Sequence, residues 1–276
     1  MIVHLIDGTY ELFRHFYGIR RFSENPPPMS AVSGVLGTVA QLLEQGATHV
    51  GVATDHVIES FRNDLWDGYK TGAGIDPLLR AQFEPLELAL EAMGVVTWAM
   101  VELEADDALA AAAHHAARDE RVEKVCIWTP DKDLAQCVVG DRVVQMDRRG
   151  NQIRDAAGVR AKFGVPPERI PDYLALVGDA ADGYPGIPRF GAKTAASTIA
   201  RHGPIEDFPP AVLGEHRADA LLFKDLATLR TDPAPFRDVD ELLWRGPLAA
   251  FDEVAAMLGD TRIAARVRKI AQSLNR

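Results

Sequence analysis

Residues 125–133 read VCIWTPDKD: four apolar residues, a threonine and a proline, then two carboxylates on either side of a lysine. A short apolar run, rich in β-branched residues and closed by proline, has the length and composition of a strand buried on both faces. This predicts a strand over 125–129, with Asp131 and Asp133 just beyond its carboxyl end. Two other segments share the design: residues 2–6 lead into Asp7, and residues 50–54 lead into Asp55. Between the three lie stretches of helical period, among them 35–45 and 86–93, and such alternation marks an α/β domain with a central, mainly parallel sheet. Ligand sites in open α/β sheets form outside the carboxyl ends of the strands. Asp7, Asp55, Asp131 and Asp133 are therefore expected along one edge.

Two more acidic clusters lie further along. VELEADDALA, residues 101–110, places Glu104, Asp106 and Asp107 within four positions. An acidic helix start accounts for one or two of them, because carboxylates complement the unpaired N–H groups of the first turn. It does not account for the third, since Glu104 and Asp107 would share a helix face and repel. A bound cation removes the difficulty. LVGDAADGYPGIPRFGAKTAAS, residues 176–197, then carries Asp179 and Asp182, again three apart, and passes through a Gly/Pro-rich turn into a helix at Ala192. Such a turn lets backbone N–H groups converge on an anion, and the helix start at Gly191, Lys193 and Thr194 adds its dipole and a cation.

The chain has 276 residues, 47% hydrophobic and 25% charged, which is the composition of a globular protein with one large core or two small ones. No segment has the apolar length of a membrane span. The opening MIVHLIDG is too short in its apolar part, and too soon acidic, for a signal peptide. The expectation is a cytoplasmic protein. Cys126 and Cys137 lie in or beside an apolar strand pattern without metal-ligand spacing, and read as buried thiols. A formal net charge of −10 speaks against a nucleic-acid partner. Nine of those charges, however, sit in the clusters just named, so the remaining surface is close to neutral, and bound divalent ions would reverse the field at the acidic edge.

Beyond about Asp155 helical patterns take over, at 156–163, 168–177, 192–201, 215–229 and as a pair over 247–274. This divides the chain into an α/β core over 1–155 and a helical region over 156–276 that packs directly on it. The prolines at 26–28 mark a surface loop. Residues 56–85 carry Arg62, Lys70 and Arg80, the aromatics Phe61, Trp66, Tyr69 and Phe83, and a break at TGAG, 71–74. This segment reads either as a solvated helical excursion with core aromatics or as a clamp over the acidic edge, stacking bases and holding phosphates.

Taken in order, LIDG, ATD, FRxxLxxxYK, EADDALA, TPDKDLAQ and GDAADGYPGI…GAKTAA resemble the structure-specific 5′ nuclease family. That family includes the N-terminal domain of bacterial DNA polymerase I, free-standing bacterial and phage 5′–3′ exonucleases, and eukaryotic flap endonucleases. The resemblance runs from Asp7 to at least Ala200. It implies a PIN-like α/β core with a helical arch at about 56–92 and a helix–three-turn–helix at about 168–201. It also implies that Asp7, Asp55, Glu104, Asp106, Asp107, Asp131, Asp133, Asp179 and Asp182 are the metal-binding carboxylates. Asp7, Asp55, Glu104 and Asp106 would serve chiefly one ion, and Asp131, Asp133, Asp179 and Asp182 a second, with Asp107 assisting through water. Lys70 would contact the scissile phosphate, with Arg62 and Tyr69 close by and Arg14 near the first strand. Arg189, Gly191, Lys193 and Thr194 would grip duplex DNA. A potassium ion would lie against the backbone carbonyls of Leu176, Val177, Pro185, Ile187 and Phe190. Two departures stand out: Ala73 replaces an arginine that usually follows the arch lysine, and Arg189 stands where relatives usually have glycine.

Oxygen ligands without histidine or thiolate suit Mg²⁺ or Mn²⁺. Two or more such ions serve an in-line phosphodiester displacement. The expected enzyme is a 5′–3′ exonuclease and 5′ flap endonuclease. It would act as a monomer on DNA with a flap, nick or 5′ end, or on an RNA–DNA hybrid, in nucleoid-associated replication and repair. The alternatives are a PIN-like ribonuclease, which has no use for a duplex-gripping turn, and a non-catalytic flap-binding module, which would be expected to have lost carboxylates. A small-molecule phosphotransferase is disfavoured, because the sequence has no P-loop or dinucleotide fingerprint.

Overall fold

The computed structural model describes residues 1–147 and 152–274. Among these, one sheet holds six strands: β1 (Ile2–Asp7), β2 (His49–Asp55), β3 (Val96–Met100), β4 (Lys124–Trp128), β5 (Val143–Asp147) and β6 (Gln152–Arg154). Their spatial order is β3-β2-β1-β4-β5-β6. The first five run parallel, and β6 returns antiparallel along β5. The three expected strands are the central ones. Their side chains lie in apolar surroundings on both faces, which is why an uninterrupted run such as VCIW forms here. From β1 the chain builds outward in one direction through β2 to β3, and in the other through β4 to β5. The strand order therefore reverses between β1 and β4, the position where α/β sheets open a crevice at their carboxyl ends.

The helices are α1 (Gly8–Arg20), α2 (Ser30–Glu44), α3 (Phe61–Leu65), α4 (Pro77–Arg80), α5 (Phe83–Ala92), α6 (Ala105–Ala116), α7 (Ala156–Phe163), α8 (Ile170–Val177), α9 (Ala192–His202), α10 (Pro210–Leu213), α11 (Arg217–Ala227), α12 (Phe251–Met257) and α13 (Thr261–Leu274). One face of the sheet is covered by α1, α2 and α5, the other by α6. Helices α7 to α9 and α11 close around a core of their own, in which Tyr184 stacks on Phe223. Helices α12 and α13, expected in the helical region, instead join the cluster of α2 and α5 through Phe251, Val254, Val267 and Ile270. Arg266 of α13 also pairs with Glu44 at the end of α2.

Candidate metal centre

Each strand end delivers its carboxylate to the crevice. Asp7 caps α1, accepting from Tyr10 N at 2.8 Å and from Thr129 Oγ1 at 2.9 Å, so β1 and the end of β4 hold it together. Asp55 accepts from Ala105 N at 2.8 Å, which docks the start of α6 onto the end of β2. Asp131 accepts from Asp133 N at 3.0 Å. Its backbone carbonyl is held by the buried Gln145 of β5, which in turn accepts from Arg154 of β6. Burial pushes the Asp7 carboxyl up to about 7, with repulsion from Asp55 and Asp131 adding to it. Asp55, Asp106, Asp131 and Asp133 are all raised as well, in each case chiefly by burial, and for the last three the neighbouring carboxylates push in the same direction.

The second group forms against the helical half. Oxygens of Asp133, Asp179 and Asp182 all lie within 4.8 Å of one another. Asp133 Oδ1 is buried and has no hydrogen-bond partner. An acceptor in that position is costly unless something satisfies it. Two lysines reach into the cluster: Lys70 Nζ stands 3.0 Å from both Glu104 Oε2 and Asp182 Oδ1, and Lys132 Nζ stands 2.6 Å from Asp179 Oδ2. Lys132 had no role assigned from the sequence, although it sits inside the quoted DKD. Ser60 was also missed; its hydroxyl donates to Glu104 Oε1 at 2.7 Å.

Several of the expected site residues lie inside the protein, engaged by other side chains. Arg62 is 1% exposed and forms a two-pronged ion pair with Asp107, at 2.7 and 2.8 Å, inside the protein. Tyr69 is buried too, its hydroxyl 3.3 Å from Glu104 Oε2. The other aromatics of the segment are likewise spent on packing. Phe61 lies between the guanidinium groups of Arg62 and Arg230, Trp66 packs edge-on against Phe223, and Phe83 belongs to the core. Residues 83–92, the far end of the expected arch, are the core helix α5. What stands over the crevice is shorter, and it is pinned to the turn after α8: Lys70 N donates to Asp182 O, and Trp66 Nε1 donates to Gly183 O. Gly183, at φ +86°, brings this turn against the carbonyl of Gly68. Arg14 is held by Glu11, Thr38 and His15.

The turn itself leaves several polar residues exposed. Gly191, Lys193 and Thr194 are exposed at the start of α9, whose N-cap is Gly191. Arg189 is exposed and adopts φ +75°, the left-handed conformation that glycine takes without strain, so its backbone keeps the path expected of a glycine there. Of the five carbonyls expected around a potassium ion, Leu176 O and Ile187 O already accept from Ile187 N and Phe190 N, at 2.8 and 3.1 Å. A carbonyl has a second lone pair, so each can still serve an ion.

All-oxygen donors, crowded at a switch point beside a turn that exposes N–H groups and cations, define the class of acidic α/β sites suited to hard divalent cations. Within that class the chain is a member of the 5′–3′ exonuclease family. Residues 2–164 match the family's N-terminal, resolvase-like domain, and residues 165–250 match its C-terminal SAM fold. DNA polymerase I of Pseudomonas aeruginosa is 34% identical over 259 residues, covering 86% of this chain and 28% of the polymerase. The 5′-3′ exonuclease of Buchnera aphidicola subsp. Baizongia pistaciae is 30% identical over 248 residues, covering 83% of this chain and 81% of that protein. The chain thus spans under a third of the polymerase relatives and most of this shorter exonuclease. Among solved structures, T5 5′-exonuclease with bound zinc superposes with a TM-score of 0.66 at 17% identity, over 99% of both chains. The catalytic core of Rad2 in complex with DNA substrate superposes with a TM-score of 0.62 at 15% identity, over 96% of this chain and 90% of that one. No helix among the described residues is long and apolar enough to cross a membrane.

Proposed function

We propose that this chain hydrolyses DNA phosphodiester bonds at 5′ ends and 5′ flaps, where single strand meets duplex, using Mg²⁺ or Mn²⁺. The observation that carries the reading is the cluster of Asp133, Asp179 and Asp182, one of whose members, Asp133, has a buried oxygen without a hydrogen-bond partner. Oxygen-only donors, several of them raised by burial and then by one another's charge, fit hard divalent cations. Asp7, Asp55, Glu104 and Asp106 would hold one ion and Asp131, Asp133, Asp179 and Asp182 another. When bound, such ions supply an activated water and neutralise charge on the attacking and leaving oxygens.

The chain's own groups do the rest. Thr129 and the α1 amide fix Asp7, the α6 amide fixes Asp55, and Ser60 and Tyr69 fix Glu104. Lys70, between Glu104 and Asp182, carries its charge to where the scissile phosphate would rest and would stabilise it most in the transition state. Gly191, Lys193, Thr194 and Arg189 would hold duplex phosphates, which positions DNA without reading its sequence. A potassium ion against the carbonyls of residues 176–190 would brace that turn. The family relationship to DNA polymerase I and to shorter 5′-3′ exonucleases supports primer removal and repair; RNA–DNA hybrids as further substrates and a monomer as the working form belong to the same proposal. A 5′-labelled flap duplex and a nicked duplex, each with Mg²⁺, Mn²⁺ or chelator, test the reading by product length. Short 5′ products with either ion and none with chelator are expected. Intact substrate in every lane would overturn it.

A further inference from the structure

We propose that Arg62 and Asp107 are positioning residues that set the register between the two carboxylate clusters, and that neither touches DNA or metal. This rests on the nuclease reading above.

A guanidinium has five N–H groups, and Arg62 offers them five acceptors inside the protein. Nε donates to Leu226 O at 2.8 Å, Nη1 to Asp107 Oδ2 at 2.7 Å, and Nη2 to Asp107 Oδ1 at 2.8 Å and Thr228 O at 3.3 Å. Glu104 Oε1 lies 3.5 Å from Nη1. Nothing remains for a phosphate. An ionised carboxylate has about four acceptor sites. Asp107 fills them with the two prongs of Arg62, Glu104 N at 2.9 Å and Arg230 N at 2.8 Å. Nothing remains for an ion or its water.

The connections explain why so much polar capacity is placed here. Arg62 belongs to α3, which leads to Lys70. Asp107 belongs to α6, which also carries Asp106 and is N-capped by Glu104. Leu226, Thr228 and Arg230 lie at and just beyond the end of α11, which holds α8 through Lys224 and Asp172 at 2.8 Å and the turn after α8 through Phe223 stacked on Tyr184. Helix α8 leads into Asp179 and Asp182. One ion pair thus joins the lysine and both groups of carboxylates. A buried pair contributes little net stability once its desolvation is counted, but its forked geometry fixes direction in a way an apolar contact does not. A shift of roughly 1 Å between reacting groups costs on the order of 10²-fold in rate.

The test uses the full chain as Arg62→Lys, Asp107→Asn, the combination of these two, and Arg62→Met with Asp107→Leu, which leaves no unpaired charge inside. Single-turnover cleavage of a 5′ flap, Mn²⁺ affinity, and binding of the flap duplex in Ca²⁺ across a salt series are read for each. The Met/Leu pair is expected to melt within a few degrees of the parent yet cleave about 10²-fold more slowly. The Lys and Asn singles are expected to lose similar factors, and their combination no more than the worse single. Mn²⁺ affinity and salt slope should stay at the parent's values. A folded Met/Leu variant cleaving at the parent rate would overturn the proposal. So would a tenfold loss of Mn²⁺ affinity in Asp107→Asn alone, or a salt slope about one unit shallower in the Met/Leu variant, which would indicate a lost phosphate contact. Failure of the parent itself to cleave would instead sink the nuclease reading, leaving the Mn²⁺ and salt arms to judge the pair.

Discussion

Asp106 and Asp107 are neighbours in the first turn of α6, and the protein treats them in opposite ways. Asp106 faces the crevice, where burial and then the charges of Asp131 and Asp7 drive its carboxyl well above the usual range. Asp107 points about a hundred degrees round the helix, toward the end of α11. Burial acts on it too, but the hydrogen bonds and charge of Arg62 outweigh it and hold its carboxyl below the usual range. The same residue type on the same turn is therefore a destabilised, ion-seeking group in one case and a satisfied joint in the other. What separates them is whether the fold supplies a cation of its own.

The sharpest way to test this contrast is Asp106→Asn. Cleavage should fall by roughly 10³-fold or more, as loss of a preorganised group at the reacting centre implies. The chelated protein should nevertheless melt at a higher temperature, because a repelled charge is gone. Parallel flap assays and thermal melts in chelator check both halves, and a lower melting temperature would break the contrast. The converse change, Asp107→Asn, strands Arg62 and should cost about 3–5 kcal/mol in urea unfolding. A cost within experimental error would show that the pair is not the buried joint it looks like.

Proton linkage distinguishes the two residues next. A carboxyl raised on folding, such as Asp7 at about 7, favours the fold at low pH and loses that contribution as pH climbs from the unfolded value near 4 through 7. A carboxyl lowered on folding, such as Asp107, contributes above the unfolded value and loses its share as pH falls through the folded one. In chelator, stability should therefore decline from about pH 4.5 to 7.5 in the parent, and Asp106→Asn should flatten that decline. Melts across that range decide it. The smallest effect belongs to Lys193, an exposed cation with none of Arg62's internal partners. Lys193→Ala should make the salt dependence of duplex binding shallower by about one unit and leave single-strand binding nearly unchanged. Equal losses for both substrates would remove the turn from the duplex contact.

Much of this could be read from the chain, for identifiable reasons. The central strands β1, β2 and β4 are buried on both faces, so their composition is close to pure apolar. Helix α7 was legible at both ends because Asp155 caps it and Gly164, in the left-handed conformation, stops it. Strand β3 was not, since VTWAM lies at the sheet edge with partly exposed side chains. The two-residue turn of direction at Asp106 and Asp107 was also illegible. The sequence puts both in the acidic motif, but the acceptor of Arg62 Nε lies 164 residues away. A motif records which residues share a neighbourhood, and the distant chain decides which way each one faces. The same holds for Tyr69 beside Lys70: one is buried against Glu104, the other reaches across the crevice.

The meeting of Gly68 and Gly183 bears on how mutational tolerance should be interpreted. A Cβ at Gly183 would lie 1.9 Å from the carbonyl oxygen of Gly68, so any side chain there would push the segment bearing Lys70 off the turn bearing Asp182. In a saturation scan scored by survival of activity, Gly183 would rank among the carboxylates as a position admitting no replacement. Yet it has no side chain with which to bind or react. Intolerance at this site would report a joint between two backbones, and a selection would guard it as strictly as any ligand.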